Sequence, residues 1–424
     1  MIWRLLYNSL FVPLGWLGFQ LYGLVNDKAR RGIAGRRGLL DRVGKRVAGW
    51  KNSAPRVWFH ASSMGEFEQA KPIISMLKQQ RPDVIVAVTF FSPSGYENSL
   101  TYREADLISY IPFDSPGNAR RFVRLLRPSA AVIMRYDLWP NHIWALRAAG
   151  IPVILANATM RKSFLRDFPL FGGFQRTLYG SLHAILTVTD GDRDVCLGYG
   201  LRNAVVETAG DTRYDQVARR CEESRRKQYF PGDLLRGRTV IVIGSSWEDD
   251  EKLLLPALAG YCQQYPEMLV VLVPHEPTLE HLAALESRMN GGLSSIRFSQ
   301  LVSYAGERVI VVDSVGILVS LYQYAHVVYV GGGFGAGIHN VLEPAVYGVP
   351  VMIGPNHGNS HEAKELLGRE GIIAVDGAES IAVNLGRLLG DRALRERVGR
   401  TALEFVTERR GATAKILSYV EKVL

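Results

Sequence analysis

A chain of 424 residues with 47% hydrophobic content exceeds the usual single-domain size and can fill two cores of roughly 170–200 residues each. Residues 1–51 hold ten Lys or Arg against Asp27 and Asp41, which is +8 of the net +9, so the nearly neutral remainder argues against a nucleic-acid-binding body. Cys196, Cys221 and Cys262 are scattered; they offer neither a disulfide framework nor zinc-ligand spacing and are in keeping with a reducing compartment.

From Leu5 to Val25 no residue is charged, and Trp16 and Tyr22 interleave with aliphatics. Such a run can just cross a bilayer, and Lys28, Arg30, Arg31, Arg36 and Arg37 behind it would place that end on the cytoplasmic side. The segment is therefore expected to be a membrane anchor, residues 1–26. It spans the membrane, or, because Asn8, Pro13, Gly15 and Gln20 dilute it, lies in the interface, or else docks as an apolar helix on the protein itself. Anionic headgroups are the natural partners of the basic stretch that follows.

Further along, short apolar runs alternate with helical patterns. Strands are expected at 56–60, 84–89, 107–111, 130–134, 153–156 and 184–188, with a helix over 66–80 whose Phe67, Ala70, Ile73, Ile74 and Leu77 share one side. The polar, charged stretch 206–236 reads as an interdomain connection carrying one helix. A second alternating block then predicts strands at 239–243, 269–273, 309–312, 327–330, 349–353 and 372–375. The expected fold class is α/β, with two doubly wound Rossmann-like domains, residues 27–205 and 237–424, and ligand bound in the cleft that such domains face.

Candidate chemistry sits in loops at the carboxyl ends of these strands. The most distinctive is VVYVGGGFGAGIHNVLEPAVYGVPVMIGP, residues 327–355. Its glycines break a strand and a helical pattern starts near His339 or Asn340, so free N–H groups and a dipole end could receive a phosphate while Glu343 meets ribose hydroxyls. The glycine spacing is not the dinucleotide fingerprint GxGxxG followed by an acid, and a purely structural turn also fits. In His60-Ala-Ser-Ser-Met-Gly-Glu66, Glu66 is placed either as a general base or as the acid of a capping box begun by Ser63. The Arg135-Tyr136-Asp137-Leu138-Trp139 loop suits a polyhydroxy, anionic ligand, or Trp139 and Pro140 close it on the core. Arg161 and Lys162 suit an acidic sugar or a lipid phosphate, or form a solvated turn. Gly244-Ser245-Ser246-Trp247, Pro274-His275-Glu276 and Gly210-Asp211-Thr212-Arg213 complete the set. No Cys/His cluster and no G-x-S-x-G nucleophile elbow is present.

Taken in order, the apolar N-terminus, WFHASSMGE, LWPN, NATMRKS, GDTRYD, GSSWEDDE, VPHEP, GGGFGAGIHNVLEPA and GPNHGNSHEA resemble the 3-deoxy-D-manno-octulosonic acid (Kdo) transferases over nearly the whole chain. The resemblance implies a membrane-bound glycosyltransferase of the GT-B fold. Such an enzyme passes Kdo from CMP-Kdo to a lipid A precursor with inversion, and acts at the bacterial inner membrane with both domains on the cytoplasmic side. It implies Glu66 as the base, with no metal and no cofactor beyond the donor. The donor would meet Arg213, Ser245, Ser246, His275, Gly333, Asn340 and Glu343. The acceptor or sugar would meet Ser63, Gly65, Asp137 and Arg161, and the segment from Lys28 to Arg46 would meet the acceptor phosphates. One departure stands out: many members carry Glu-Thr-Glu before Trp-Pro-Asn, whereas this chain has Arg135, Tyr136 and Asp137. The alternative reading is a transferase or epimerase of the same fold that uses a UDP-sugar, and a binding protein that has lost its chemistry is a third.

Overall fold

The computed structural model describes residues 2–160, 169–289 and 292–424. The chain divides into two units, residues 1–216 with 410–424, and residues 217–409.

The first unit is built on strands β1 (Arg56–Ala61), β2 (Ile85–Phe90), β3 (Leu107–Tyr110), β4 (Ala130–Met134), β5 (Val153–Ala158), β6 (Ala184–Thr187) and β7 (Val205–Thr208). They form one parallel sheet in the order β3-β2-β1-β4-β5-β6-β7. Every residue of β1 is buried, as in an inner strand of a parallel sheet covered on both faces, and its apolar Val57-Trp58-Phe59 does not alternate with polar residues. Trp58 enters one core with Phe122, Leu126 and Ile143. Val57 and Phe59 enter the other with Phe67, Ile73 and Leu77. The strand order reverses between β1 and β4, the switch point at which an open α/β sheet leaves a crevice above its strand ends.

Two boundaries differ from the sequence expectation. The stretch after residue 205 is not linker at once: β7 closes the sheet edge before the helix Thr212–Arg225 begins. The last fifteen residues also rejoin the first unit. The helix Ala412–Glu421 buries Ile416, Leu417 and Val420 in the Phe67 core, and the Asp215 carboxylate accepts hydrogen bonds from the N–H groups of Gly411 and Thr413, both at 2.8 Å.

The second unit repeats the plan with β8 (Thr239–Ser246), β9 (Met268–Pro274), β10 (Ser295–Arg297), β11 (Val309–Val311), β12 (Val327–Val330), β13 (Val351–Ile353) and β14 (Ile372–Ala374). The order is β10-β11-β9-β8-β12-β13-β14, again all parallel, with the switch point between β8 and β12.

The N-terminus is helical from Ile2 to Val25, but a π-helical turn at Tyr7–Phe11 splits it. The widened turn lies just ahead of Pro13, which donates no backbone bond. Among the described residues no helix is long and apolar enough to cross a membrane. The polar residues that dilute the segment have structural work. Tyr7 donates to Asp114 at 2.9 Å, and Asn141 donates to Asn8 at 2.8 Å. Leu10, Leu14, Leu17, Leu21 and Leu24 remain exposed, spaced as one stripe along the helix.

Candidate active site

In the first unit, the loop after β1 turns directly into the helix Met64–Gln80. Ser63 caps it: its Oγ accepts the Glu66 N–H at 3.4 Å, and the Glu66 carboxylate reaches back to accept the Ser62 N–H at 2.5 Å. The capping geometry is thus present, shifted by one residue from the usual box. It does not leave Glu66 an ordinary acid. Burial raises its pKa. The Ser62 bond opposes this, the Asp137 charge adds to it, and the His60 and Arg135 charges oppose it, with the balance upward. A buried carboxylate with a raised pKa is a better proton acceptor than a surface one.

Asp137 lies at the switch point above β4. Its Oδ2 faces His60 Nε2 at 2.9 Å and accepts from Trp139 Nε1 at 3.0 Å. Burial alone would raise its pKa. The hydrogen bonds and charge of His60, with bonds from Trp139 and Ser62, outweigh that and hold it below the usual range. Two neighbouring carboxyls are thereby pushed in opposite directions, which is how one site keeps an anion beside a base. His60 is fixed from behind, its Nδ1 lying 2.9 Å from Thr89 Oγ1, which also accepts from Trp58 Nε1 at 2.8 Å. His60 and Trp139 are the members that sequence reasoning left out of its site. Their signal was present in HASSMGE and LWPN, but the pairing across two strands was not. At Gly65 an added Cβ would meet nothing nearer than Ser63 Oγ at 4.0 Å, so packing does not require a glycine there.

An apolar groove adjoins this site. Tyr7, Phe11, Phe19, Phe91, Phe113 and Trp139 line it. The Phe91 ring stacks on Trp139 at 5.0 Å and meets Phe19 of the N-terminal helix at 5.6 Å, so aromatic contacts run from that helix to Asp137. Arg36 is half-buried beside them, donating to the carbonyls of Phe91, Ile111 and Gly32; desolvation lowers its pKa to about 10. Arg213 belongs to this unit and is paired with Asp211 at 2.8 Å. Arg161 lies outside the described residues.

In the second unit, the loops after β8, β9 and β12 converge. The Asp250 carboxylate, fully buried, accepts the N–H groups of Gly332 at 2.7 Å and Trp247 at 3.0 Å and the Tyr329 hydroxyl at 2.8 Å. The glycine loop thus spends an amide on a protein carboxylate, and the expected helix start is corrected. The helix begins at Leu342 and runs five residues, too short for much of a dipole. Asn340 Oδ1 accepts the Leu342 N–H at 3.0 Å, and Glu343 is bonded to Arg220 at 3.2 Å. Gly333 has a packing reason, since a Cβ there would stand 2.5 Å from the Gly354 backbone. Ser246 is also corrected: it is the last residue of β8, its side chain points inward, and its hydroxyl donates to Glu251 at 2.8 Å. Ser245 keeps a left-handed backbone, φ 54°.

His275 stacks on Trp247 at 4.6 Å and on His339 at 4.3 Å, and Trp247 Nε1 donates to His339 Nε2 at 3.0 Å. Burial lowers the His339 pKa, and His275 adds to the effect. Trp247 and His339 lie within 7° of parallel, and such a polar-aromatic cluster is of the sort on which a base or sugar rests. Trp247 and Asp250 stand in a candidate loop of the sequence and His339 at the glycine turn, but sequence reasoning assigns none of the three a role.

Known proteins are similar in both sequence and fold. Residues 34–216 match the family described as 3-deoxy-D-manno-octulosonic-acid transferase (kdotransferase). The 3-deoxy-D-manno-octulosonic acid transferase of Haemophilus influenzae is 26% identical over 100% of this chain and 99% of its own length. That of Bordetella pertussis is 28% identical over 87% of each. Among solved structures, the UDP-GlcNAc 2-epimerase from Neisseria meningitidis bound to UDP-GlcNAc superposes with a TM-score of 0.59 at 16% identity, over 87% of this chain and 100% of that one. Acinetobacter baumannii MurG gives 0.54 at 16% identity, over 87% and 99%. These structures speak for the fold, two GT-B-type Rossmann-like units.

Proposed function

We propose that this chain, which belongs to the 3-deoxy-D-manno-octulosonic acid (Kdo) transferases, transfers Kdo from CMP-Kdo to a hydroxyl of a lipid A precursor in lipopolysaccharide biosynthesis. The observation that carries the chemistry is the buried Glu66 carboxylate at the switch point, with its raised pKa and the anionic Asp137 beside it. Glu66 takes the proton of the acceptor hydroxyl as that oxygen forms its bond to the anomeric carbon from the face opposite CMP. The bond to the phosphate breaks, its electron pair leaves with CMP, and the configuration inverts. No metal ion or further cofactor enters this scheme.

The donor half of the proposal rests on the second unit. Ser245, His275, Asn340 and the Trp247–His339 stack are gathered by the Asp250-held glycine loop, and CMP is the ligand assigned to them. For the acceptor, the groove lined by Phe19, Phe91 and Trp139 supports apolar chains lying against the N-terminal helix. The exposed leucine stripe and the basic residues from Lys28 to Arg46 support a helix in the plane of the inner membrane's cytoplasmic face, with phosphates met by the basic segment. Transfer to a lipid A precursor by wild type and not by Glu66→Gln tests the reading.

A further inference from the structure

We propose that Arg135 is a substrate-binding residue of this site, its guanidinium receiving an oxyanion of a substrate, a sugar carboxylate or a phosphate, next to Glu66. The inference rests on the transfer reading above and deepens it.

Arg135 follows β4 directly, across the switch point from β1 and the Glu66 helix. Its backbone is left-handed, φ 61°, and its N–H donates to Ala156 O at 2.7 Å. A long side chain rarely adopts that conformation, and such strain persists where the surroundings impose it, typically at binding sites. The guanidinium Nε is buried with no hydrogen-bond partner among the described residues. On the adjacent strand β5, Asn157 repeats the pattern. Its φ is 51°, its Nδ2 donates to Thr212 Oγ1 at 2.7 Å, and its Oδ1 is buried without a partner among the described residues. Neighbouring strand ends therefore hold one unmet donor carrying a positive charge and one unmet acceptor.

A buried polar atom left without a partner calls for an explanation. Glu66 and Asp137 do not supply it: among the described residues neither makes an ion pair with Arg135. Both reactants of the proposed transfer carry what is missing. The donor sugar has a carboxylate, the acceptor has phosphates, and both have hydroxyls for Asn157 Oδ1. An arginine suits an oxyanion because its N–H groups match two oxygens at once. A glutamate at this position, as in the resembling sequences, could not bind that group, so the substitution changes what this chain holds there.

The test uses the full chain with both substrates varied, comparing wild type, Arg135→Gln and Arg135→Lys. The expected result is a rise of about 10- to 100-fold in the KM of one substrate for Arg135→Gln, with partial recovery in Arg135→Lys. A rise for the acceptor identifies a phosphate, and an acceptor lacking one phosphate then no longer distinguishes wild type from Arg135→Gln. A rise for the donor identifies the carboxylate. Unchanged KM values for both substrates overturn the proposal, as does a fall in kcat alone. Should wild type itself transfer nothing, the transfer reading fails separately. Arg135 is then read by unfolding temperature in sodium phosphate and in free Kdo. A shift in wild type but not in Arg135→Gln supports it, and the same shift, or none, in both proteins overturns it.

Discussion

His60 Nε2 stands 2.9 Å from the Oδ2 atom of Asp137, joining the ends of β1 and β4 across the point where the strand order reverses. The contact fixes an anion close enough to Glu66 for its charge to raise the pKa of that carboxyl. The acid limb of the pH–rate profile should therefore lie above the ordinary glutamate range, because transfer requires ionised Glu66. Asp137→Asn removes one cause of the rise, so its acid limb should move to lower pH even as activity falls. A profile of kcat/KM for both proteins decides it; a limb that stays in place would separate Asp137 from the base.

Glu66 also sets a stability prediction. Its folded-state pKa is raised, so the folded chain holds the proton more tightly than the unfolded one. The ionised group opposes folding by an amount absent below the unfolded pKa and growing as pH rises through the folded one. Glu66→Gln should raise the melting temperature at neutral pH by about 1–3 °C, because Gln can still accept the Ser62 N–H. The gain should vanish in acid. Thermal unfolding at two pH values measures it, and a loss of stability at neutral pH would mean that the cap outweighs the burial.

In the second unit, Asp250→Ala would leave the Gly332 and Trp247 amides and the Tyr329 hydroxyl without their acceptor. A destabilisation of about 2–4 kcal/mol is expected, together with loss of thermal protection by CMP. Chemical denaturation with and without CMP reads both. Intact CMP protection would show that the glycine loop does not need this carboxylate to receive the donor.

The leucine stripe predicts separable membrane binding. Replacing Leu14, Leu17 and Leu21 with Gln should weaken binding to anionic vesicles by about tenfold or more, while leaving transfer to detergent-dispersed acceptor near wild type. Co-sedimentation and the detergent assay are the readouts. Undiminished vesicle binding would assign attachment to the basic segment alone.

Most of the scaffold was legible because buried parallel strands are continuous apolar runs. β4 and β12 begin and end where the hydrophobicity does. The strands missed were β7, a partly exposed sheet edge ending in polar residues, and β10, only three residues long. The helix Ala412–Glu421 looked like part of the second domain because its apolar face says that it must pack, not against what. At the site, loops were legible and partners were not. Asp250 stood in the SSWEDDE motif, yet its bond to Gly332 crosses 82 positions. Ser246 looked like a ligand and is a strand residue whose alternation turns its hydroxyl inward.

The central claim is tested most directly by mass spectrometry of the products formed from freshly generated CMP-Kdo and a lipid A precursor, with wild type and Glu66→Gln side by side. The account predicts a Kdo-extended lipid from wild type and a rate lower by about 10²–10⁴ from a folded, CMP-binding Glu66→Gln. Equal product from both proteins, or none from a folded, CMP-binding wild type, would contradict it.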